Sequence, residues 1–574
     1  MRPGPRIARL ALLSLSLTLG SMRPAAGAPA RQHVRDDAAR PLVISVVATT
    51  DVHGHIESLP WLGGYLRNLR ARCTADGGGV LLIDSGDMFQ GTLESNLGEG
   101  AAMVHGYNAL GYAAAAIGNH EFDFGPAGPV TLPGEHDDPR GALKARAAEA
   151  HFPFLAANLH EKGATRPLAW HNVRPFALVK LAGVRIGIVG AITKSTPFAT
   201  HPRNFAGLEV DPLVTAVALA ARQARHAGAE IVVLTAHAGG ECARSDRPDD
   251  LGSCLPNEEI FALARALPPH LVDLIAAGHT HQMVAHKVAG IPIVQALAEG
   301  RAFSRIDLTI DRAHHTVSDA QIFAPQPLCG GGRVPRFGPE ACAASVYEGQ
   351  PVVFDEAVAA ALAPDIERAR QRRAAPVGIE LVGPMRREVK EESPLGNLAA
   401  DLLRAAAPGA DVAFINGGSL RTSLPAGPLD YGRLYEAFPF DDGLATVHLT
   451  AGQLAALVAR NLGREFGILS LSGVTAQARC AGAALVVELY GRDGKSLPAA
   501  RPLVAVTNGY LASGGDGLLT GIATGDLPDA TPFRERFVEL LRARGGNLRG
   551  DDPAIFSPTA RRLSYPGRRP VRCP

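Results

Sequence analysis

The sequence has no excess of charge of either sign: 57 Lys and Arg stand against 56 Asp and Glu, a formal net charge of +1. A balanced chain has no general electrostatic pull on a polyanion, so a nucleic-acid polymer is not an expected partner. Long apolar runs are lacking too. The best candidate, residues 10–19, is too short to span about 30 Å of hydrocarbon, and nothing later in the chain reads as a membrane span. The 63 Gly and 43 Pro are spread out instead of forming one low-complexity tract, which excludes disorder as the main theme. None of the seven Cys sits in a recognisable catalytic turn, so a thiol nucleophile is not expected.

What is present starts with length. At 574 residues the chain is about twice the size at which one core stops growing, so two packed domains and a connector are expected. Arg2, Arg6 and Arg9 precede the apolar run, and Ala26-Gly27-Ala28-Pro29-Ala30 follows it. That is the layout of a cleavable secretory signal over residues 1–30, with cleavage after Ala28 or Ala30, and it predicts a periplasmic or secreted protein. Export is compatible with disulfides. Cys242 with Cys254 and Cys329 with Cys342 close the shortest loops, Cys480 with Cys573 is a third pairing, and Cys73 is left over, although spacing alone leaves other connectivities open.

From residue 41 to 325 short β-branched runs alternate with amphipathic stretches, an α/β layered pattern; strands are expected at 43–47, 80–83, 186–189, 231–234 and 271–275. Between 324 and 349 the periodicity lapses, and 352–373 then shows an apolar stripe with a basic end. Residues 326–376 are therefore expected to be a linker and bridging helix. A second block runs over 377–565, with a helix at 394–406, strands at 412–415 and 504–507, and Gly-rich turns after the strands.

Functional groups of open α/β sheets cluster beyond the carboxyl ends of strands. Here five apolar runs are followed by Asp51-Val52-His53, Asp84-Ser85-Gly86-Asp87, Gly118-Asn119-His120-Glu121-Phe122-Asp123, His237, and Gly278-His279-Thr280-His281. Any one of these is a weak signal. The ordered set of five brings Asp, His and Asn to one sheet edge, and such an N/O donor set suits divalent ions such as Zn or Mn. His55, His105 and His151 end no such run and read as structural or solvated.

These motifs resemble the calcineurin-like metallophosphoesterases. The resemblance implies a four-layer α/β/β/α sandwich for residues 41–325 and two divalent ions (Zn, Mn or Co), one on Asp51, His53, Asp87 and His281, the other on Asp87, Asn119, His237 and His279. It also implies that Asp87 is the bridge, that His120 contacts the phosphoryl group, and that Asp123 places His120. An imidazole whose second nitrogen meets a carboxylate is oriented and more readily cationic, in agreement with that role. Glu121 is at most outer support.

The second block holds Ser393-Pro394-Leu395-Gly396-Asn397, Asn416-Gly417-Gly418-Ser419-Leu420-Arg421, Phe438-Pro439-Phe440 and Asn508-Gly509-Tyr510 through Gly517. This series is similar to the smaller α/β C-terminal domain of bacterial 5'-nucleotidases. The resemblance implies a nucleotide substrate, with Arg421 on phosphate, Phe440 and Tyr510 stacking the base, and Asn416 and Asp516 adding polar contacts. Ser419 departs from the glycine common at that position. The stretch 386–392 does not align cleanly, and Arg387 is the expected second phosphate ligand. Hydrolysis of extracytoplasmic nucleoside 5'-monophosphates is the leading expectation, with di- or triphosphates or nucleotide sugars beside it. A 2',3'-cyclic-nucleotide phosphodiesterase with 3'-nucleotidase activity, a thiosulfohydrolase, and an inactive nucleotide-binding surface protein are the alternatives. No obligate protein partner is expected.

Overall fold

The computed structural model describes residues 42–128, 136–314, 316–330, 332–335, 337–465, 467–522 and 531–574. The expected signal at 1–30 lies outside them. Two sheets organise the first half. One runs in the order Thr316–Ile322, Ala302–Asp311, Leu42–Thr49, Gly79–Asp84, Ala114–Ala116, Phe154–Leu155, Val173–Arg174; the other in the order Met283–Val288, Ile291–Ala296, Leu274–Ala277, Ile231–His237, Val184–Ile192, Phe176–Leu181.

Alternation along each strand decides the layers. Ile44, Val46 and Ala48 meet Ile186, Ile188, Ile231 and Val233 in a core between the sheets. Val47 and Leu82 face the opposite way, onto Leu62, Leu66 and Tyr107 of the helices Leu59–Ala75 and Ala101–Leu110. Val232 and Leu234 face Val217, Ala221 and Phe261 of the helices Leu213–His226 and Glu259–Ala266. The result is an α/β/β/α sandwich with central strands covered on both faces, which is why they read as continuous apolar runs.

Register carries the strand ends to one edge. Leu42–Thr49 pairs parallel with Gly79–Asp84, Thr49 opposite Asp84, and Asp84 lies opposite Ala115. In the second sheet His237 lies opposite Ile192, and Ala236 opposite Ala277. The fifth expected strand starts late, at Leu274 instead of Leu271, because Leu271 and Val272 turn into the helix-side core. The Asp273 carboxylate there accepts from the Val232 amide at 2.7 Å.

Within the stretch expected to form the connector, Leu328, Val334, Val352 and Phe354 pack into the core of the first half. The bridging helix is Glu356–Arg373, capped by Asp355, whose carboxylate accepts from the amides of Ala357 and Val358. Arg373 at its end reaches Glu94 of the first half (2.7 Å) and Glu436 of the second (2.9 Å). The second half is built on a sheet in the order Leu444–Thr450, Pro502–Asn508, Val412–Asn416, Leu469–Ser472, with the helix Pro394–Ala406 packed on it. Val412–Asn416 and Pro502–Asn508 run parallel, so the turns at Gly417 and Gly509 leave the same edge. The described residues from Leu42 onward pack as one compact unit. Disulfides join Cys242–Cys254, Cys329–Cys342 and Cys480–Cys573, and Cys73 is free and buried.

Candidate metal centre and substrate cleft

Delivering side chains from strand ends into one point bends the backbone. Asp51 (φ 51°), His53 (φ 50°), Asp87 (φ 57°), His279 (φ 78°) and His281 (φ 58°) all occupy the left-handed region that residues with a Cβ avoid. Neighbouring loops hold them there: the amides of Asp51 and His53 donate to the carbonyls of Gly86 (2.9 Å) and Asp87 (3.0 Å). The buried Glu121 carboxylate accepts from the amides of Asp87, Met88, Phe89 and Gly118. Gly118 is required by proximity, since a Cβ there would lie 2.2 Å from Asp87 Oδ1.

Two donor groups result, Asp51/His53/His281 and Asp87/His237/His279, each with ligand atoms within 4.8 Å of one another. Asp87 lies between them, its Oδ2 3.0 Å from His237 Nε2 and 3.9 Å from His53 Nε2. Asn119 Oδ1 is 3.0 Å from His237 Nε2. His53 Nδ1 donates to the Gln90 carbonyl (2.7 Å) and His237 Nδ1 to the Ser85 carbonyl (2.9 Å), so both Nε2 atoms turn lone pairs inward. His53 Nε2 and His281 Nε2 are then only 3.1 Å apart. Without a cation one of these two nitrogens donates to the other; with both lone pairs turned inward, the N/O donor set fits divalent cations.

Burial lifts the Asp51 carboxyl to about 7. Burial opposes protonation of His237, but Asp87, Asp51 and Glu121 outweigh it and raise the imidazole to about 10. Burial and then His237 push His279 down to about 3. Within the cluster the proton is favoured on His237 and disfavoured on His279. The guanidinium of Arg421 also reaches the cluster, its Nη2 2.9 Å from His53 Nε2. Cys242, Cys254 and His286 also lie close together, but their thiols are spent in a disulfide.

His120 stands beside this cluster. Its Nδ1 is 2.5 Å from Asp123 Oδ2, and Thr200 Oγ1 donates to the other oxygen of Asp123 at 2.9 Å. Burial works against the charged ring, yet Asp123 and Asp87 together raise its pKa. His55 instead bonds Glu57 (2.7 Å), His105 bonds Asp365 (2.8 Å), and His151 is exposed.

A cleft of about 1160 Å³ opens over the cluster and is closed on its far side by the second half. Phe440 sets its ring 5.8 Å from that of His120, with the Arg421 guanidinium 5.9 Å from the same Phe440 ring. Arg387 lines the cleft, where burial and then Arg421 lower it to about 10; Arg386 is exposed and does not line it. The Tyr510 hydroxyl meets Asp516 Oδ1 (2.8 Å) and the Phe198 carbonyl of the first half. One face of its ring is covered by Gly515, where a Cβ would come within 2.5 Å of the ring. Asn416 is buried behind the wall, its Nδ2 donating to Asp516 Oδ2 (2.9 Å) and its Oδ1 accepting from Ser419 Oγ (2.5 Å). Ser419 also accepts from Asn508 Nδ2 at 2.7 Å, a use for the hydroxyl that a glycine there would lack.

Several lining residues escaped sequence reasoning. Gln90 and His201 carry buried polar atoms without partners among the described residues, and burial lowers His201 to about 4. Asp442 accepts from the Tyr510 amide. Gln90 follows Asp87 by three residues, which is the one signal that placed it near the site.

Comparisons with known proteins agree with this architecture. Residues 44–283 match the family model of the calcineurin-like phosphoesterases, and residues 375–523 that of the 5'-nucleotidase C-terminal domain. Endonuclease YhcR of Bacillus subtilis is 26% identical over 437 residues, 74% of this chain and 32% of that protein, so the match spans about a third of its length. Protein UshA of Yersinia enterocolitica is 26% identical over 517 residues, 83% of this chain and 86% of that one. Among solved structures, a 5'-nucleotidase precursor from Thermus thermophilus shares the fold with a TM-score of 0.70 at 23% identity, covering 89% of this chain and 100% of that one. Strand-end donors, facing aromatic wall and both domain matches lead to one conclusion: the chain belongs to the 5'-nucleotidase family, with a calcineurin-like phosphoesterase domain and a 5'-nucleotidase C-terminal domain, and is a metal-dependent phosphoester hydrolase.

Proposed function

We propose that this protein releases phosphate from nucleoside 5'-monophosphates outside the cytoplasm, with domains at 41–325 and 377–565 joined through 326–376. The observation that carries the reading is the facing of the two halves: Phe440 and Arg421 stand against His120 and His53 across one cleft.

Asp51, His53, Asp87 and His281 would hold one divalent ion, and Asp87, Asn119, His237 and His279 another. Zn, Mn or Co suits these donors. Such a pair supplies Lewis-acid polarisation of a phosphoryl oxygen and a water of lowered pKa. The chain's own groups do the rest. Arg421 and Arg387 grip the phosphate, a guanidinium matching its oxygens where an ammonium would not. His120, oriented by Asp123, whose carboxylate favours the charged ring, donates toward the phosphoryl oxygen as negative charge grows. Phe440 and Tyr510, both lining the cleft, stack the base, and Asp516, fixed by Asn416, meets the nucleoside. Water takes the phosphoryl group and the nucleoside leaves as its alcohol, with no covalent enzyme intermediate.

Three disulfides support an oxidising compartment. Among the described residues no helix is long and apolar enough to cross a membrane. The test is a substrate panel on metal-stripped protein restored with Zn, Mn or Co. Restored protein is expected to release phosphate from AMP faster than from 3'-AMP or 2',3'-cyclic AMP, and stripped protein to be silent. No release from any 5'-nucleotide would reject the reading, and a preference for the cyclic ester would replace it with the phosphodiesterase alternative.

A further inference from the structure

The strand Val184–Ile192 ends at the same edge as the strands that deliver the proposed metal ligands, Ile192 lying opposite His237. The loop after it supplies none of those ligands, yet it touches two of them, the His120–Asp123 pair and the facing wall. Ser195 Oγ lies 3.3 Å from His279 Nε2, and the Ala199 carbonyl accepts from Asn119 Nδ2 at 2.9 Å. The Phe198 carbonyl accepts from the Tyr510 hydroxyl of the second half, so the segment is anchored on both sides of the cleft. Thr200 follows the short helix Thr196–Ala199, is 1% exposed and lines the cleft. Its Oγ1 donates to Asp123 Oδ1 at 2.9 Å.

Resting on the reading above, in which His120 donates toward the phosphoryl oxygen, we propose that Thr200 is a positioning residue for that donor: its hydroxyl fixes the Asp123 carboxylate and, through it, the His120 ring. Asp123 gives one oxygen to each neighbour, Oδ2 to His120 Nδ1 (2.5 Å) and Oδ1 to Thr200. The backbone of this turn is tied separately, because the buried Asn204 donates through Nδ2 to the carbonyls of Phe122 (2.9 Å) and Asp123 (3.1 Å). What remains free is rotation about the terminal torsion of Asp123, which is broad for this side chain. A carboxylate held at one oxygen can still turn; held at both, it cannot turn without breaking a bond. The fixed ring keeps its Nε2 on the metal side, 4.0 Å from Asp87 Oδ2. A donor displaced by about 1 Å can lose on the order of 10²-fold in rate, so a group that only orients another has a measurable effect.

The experiment compares wild type with Thr200→Val, Thr200→Ala and Thr200→Ser, alone and in a His120→Ala background, on AMP and p-nitrophenyl phosphate. Removing the hydroxyl is expected to lower kcat about tenfold on both esters with KM within about twofold, and Thr200→Ser to recover most of the loss. In the His120→Ala background the same substitutions should cost nothing further, because no ring is left to place. Unchanged kcat in Thr200→Val and Thr200→Ala would overturn the proposal. So would a full tenfold loss without His120, or a loss that tracks unfolding by circular dichroism, either of which marks a purely structural role. Two esters keep this proposal apart from the nucleotide reading: wild type that cleaves p-nitrophenyl phosphate but not AMP overturns that reading alone, and the Thr200 comparison is decided on the ester cleaved. Wild type silent on both overturns the two together.

Discussion

On the metal side of the cleft five of the proposed ligands hold left-handed backbone, whereas among the proposed contacts on the facing wall only Asp516 (φ 54°) does. The metal side also brings ring nitrogens together, His53 Nε2 and His281 Nε2 being 3.1 Å apart. On the facing wall Asn508, Ser419, Asn416, Asp516 and Tyr510 form one hydrogen-bonded series. On that wall the hydroxyl, amide and carboxylate groups of this series are paired with one another, while the buried Arg387 Nε has no partner among the described residues. On the proposed reading the first wall serves chemistry common to all phosphate esters and the second selects among them.

Substitutions on the two walls should therefore differ in kind as well as size. The largest effect is expected on the metal side. His120→Ala removes the charged donor and should lower kcat by about 10²–10⁴-fold. The loss should be the same on AMP and p-nitrophenyl phosphate, as steady-state kinetics on both would show. A loss confined to AMP would break the comparison by making His120 a selector. A smaller effect is expected across the cleft, where Phe440→Ala removes one stacking face. Stacking of about 1–3 kcal/mol per base corresponds to roughly 5- to 150-fold in KM for AMP. Turnover of p-nitrophenyl phosphate should change little. Equal losses on both esters would mean that Phe440 acts mainly by holding Arg421, whose guanidinium lies over its ring.

Sequence legibility also differs between the walls, for a physical reason. The metal side announces itself because each donor must follow a buried strand, and buried strands are readable as apolar runs; the alternation of strands and amphipathic stretches gives an α/β layered pattern, and the four layers are implied by the family resemblance. The facing wall draws on turns whose partners are distant in sequence, such as Asn416 with Asp516 and Tyr510 with Phe198. Residue types at 416–421 and 508–517 point to a ligand, but not to which groups face it, so the burial of Asn416 behind Asp516 emerges only from the fold. Gln90 and His201 were illegible because an orphaned polar atom is a property of surroundings, not of spacing. The late start of the strand at Leu274 reflects tertiary demand on Leu271 and Val272, which no local pattern carries.

The central claim is that two cations complete the Asp51/His53/His281 and Asp87/His237/His279 groups with Asp87 between them. Anomalous diffraction from crystals of protein restored with Mn tests it most directly. The account predicts two peaks about 3.5–4 Å apart, one in each donor group, both within ligand distance of Asp87. A single peak, or peaks outside these groups, would contradict it.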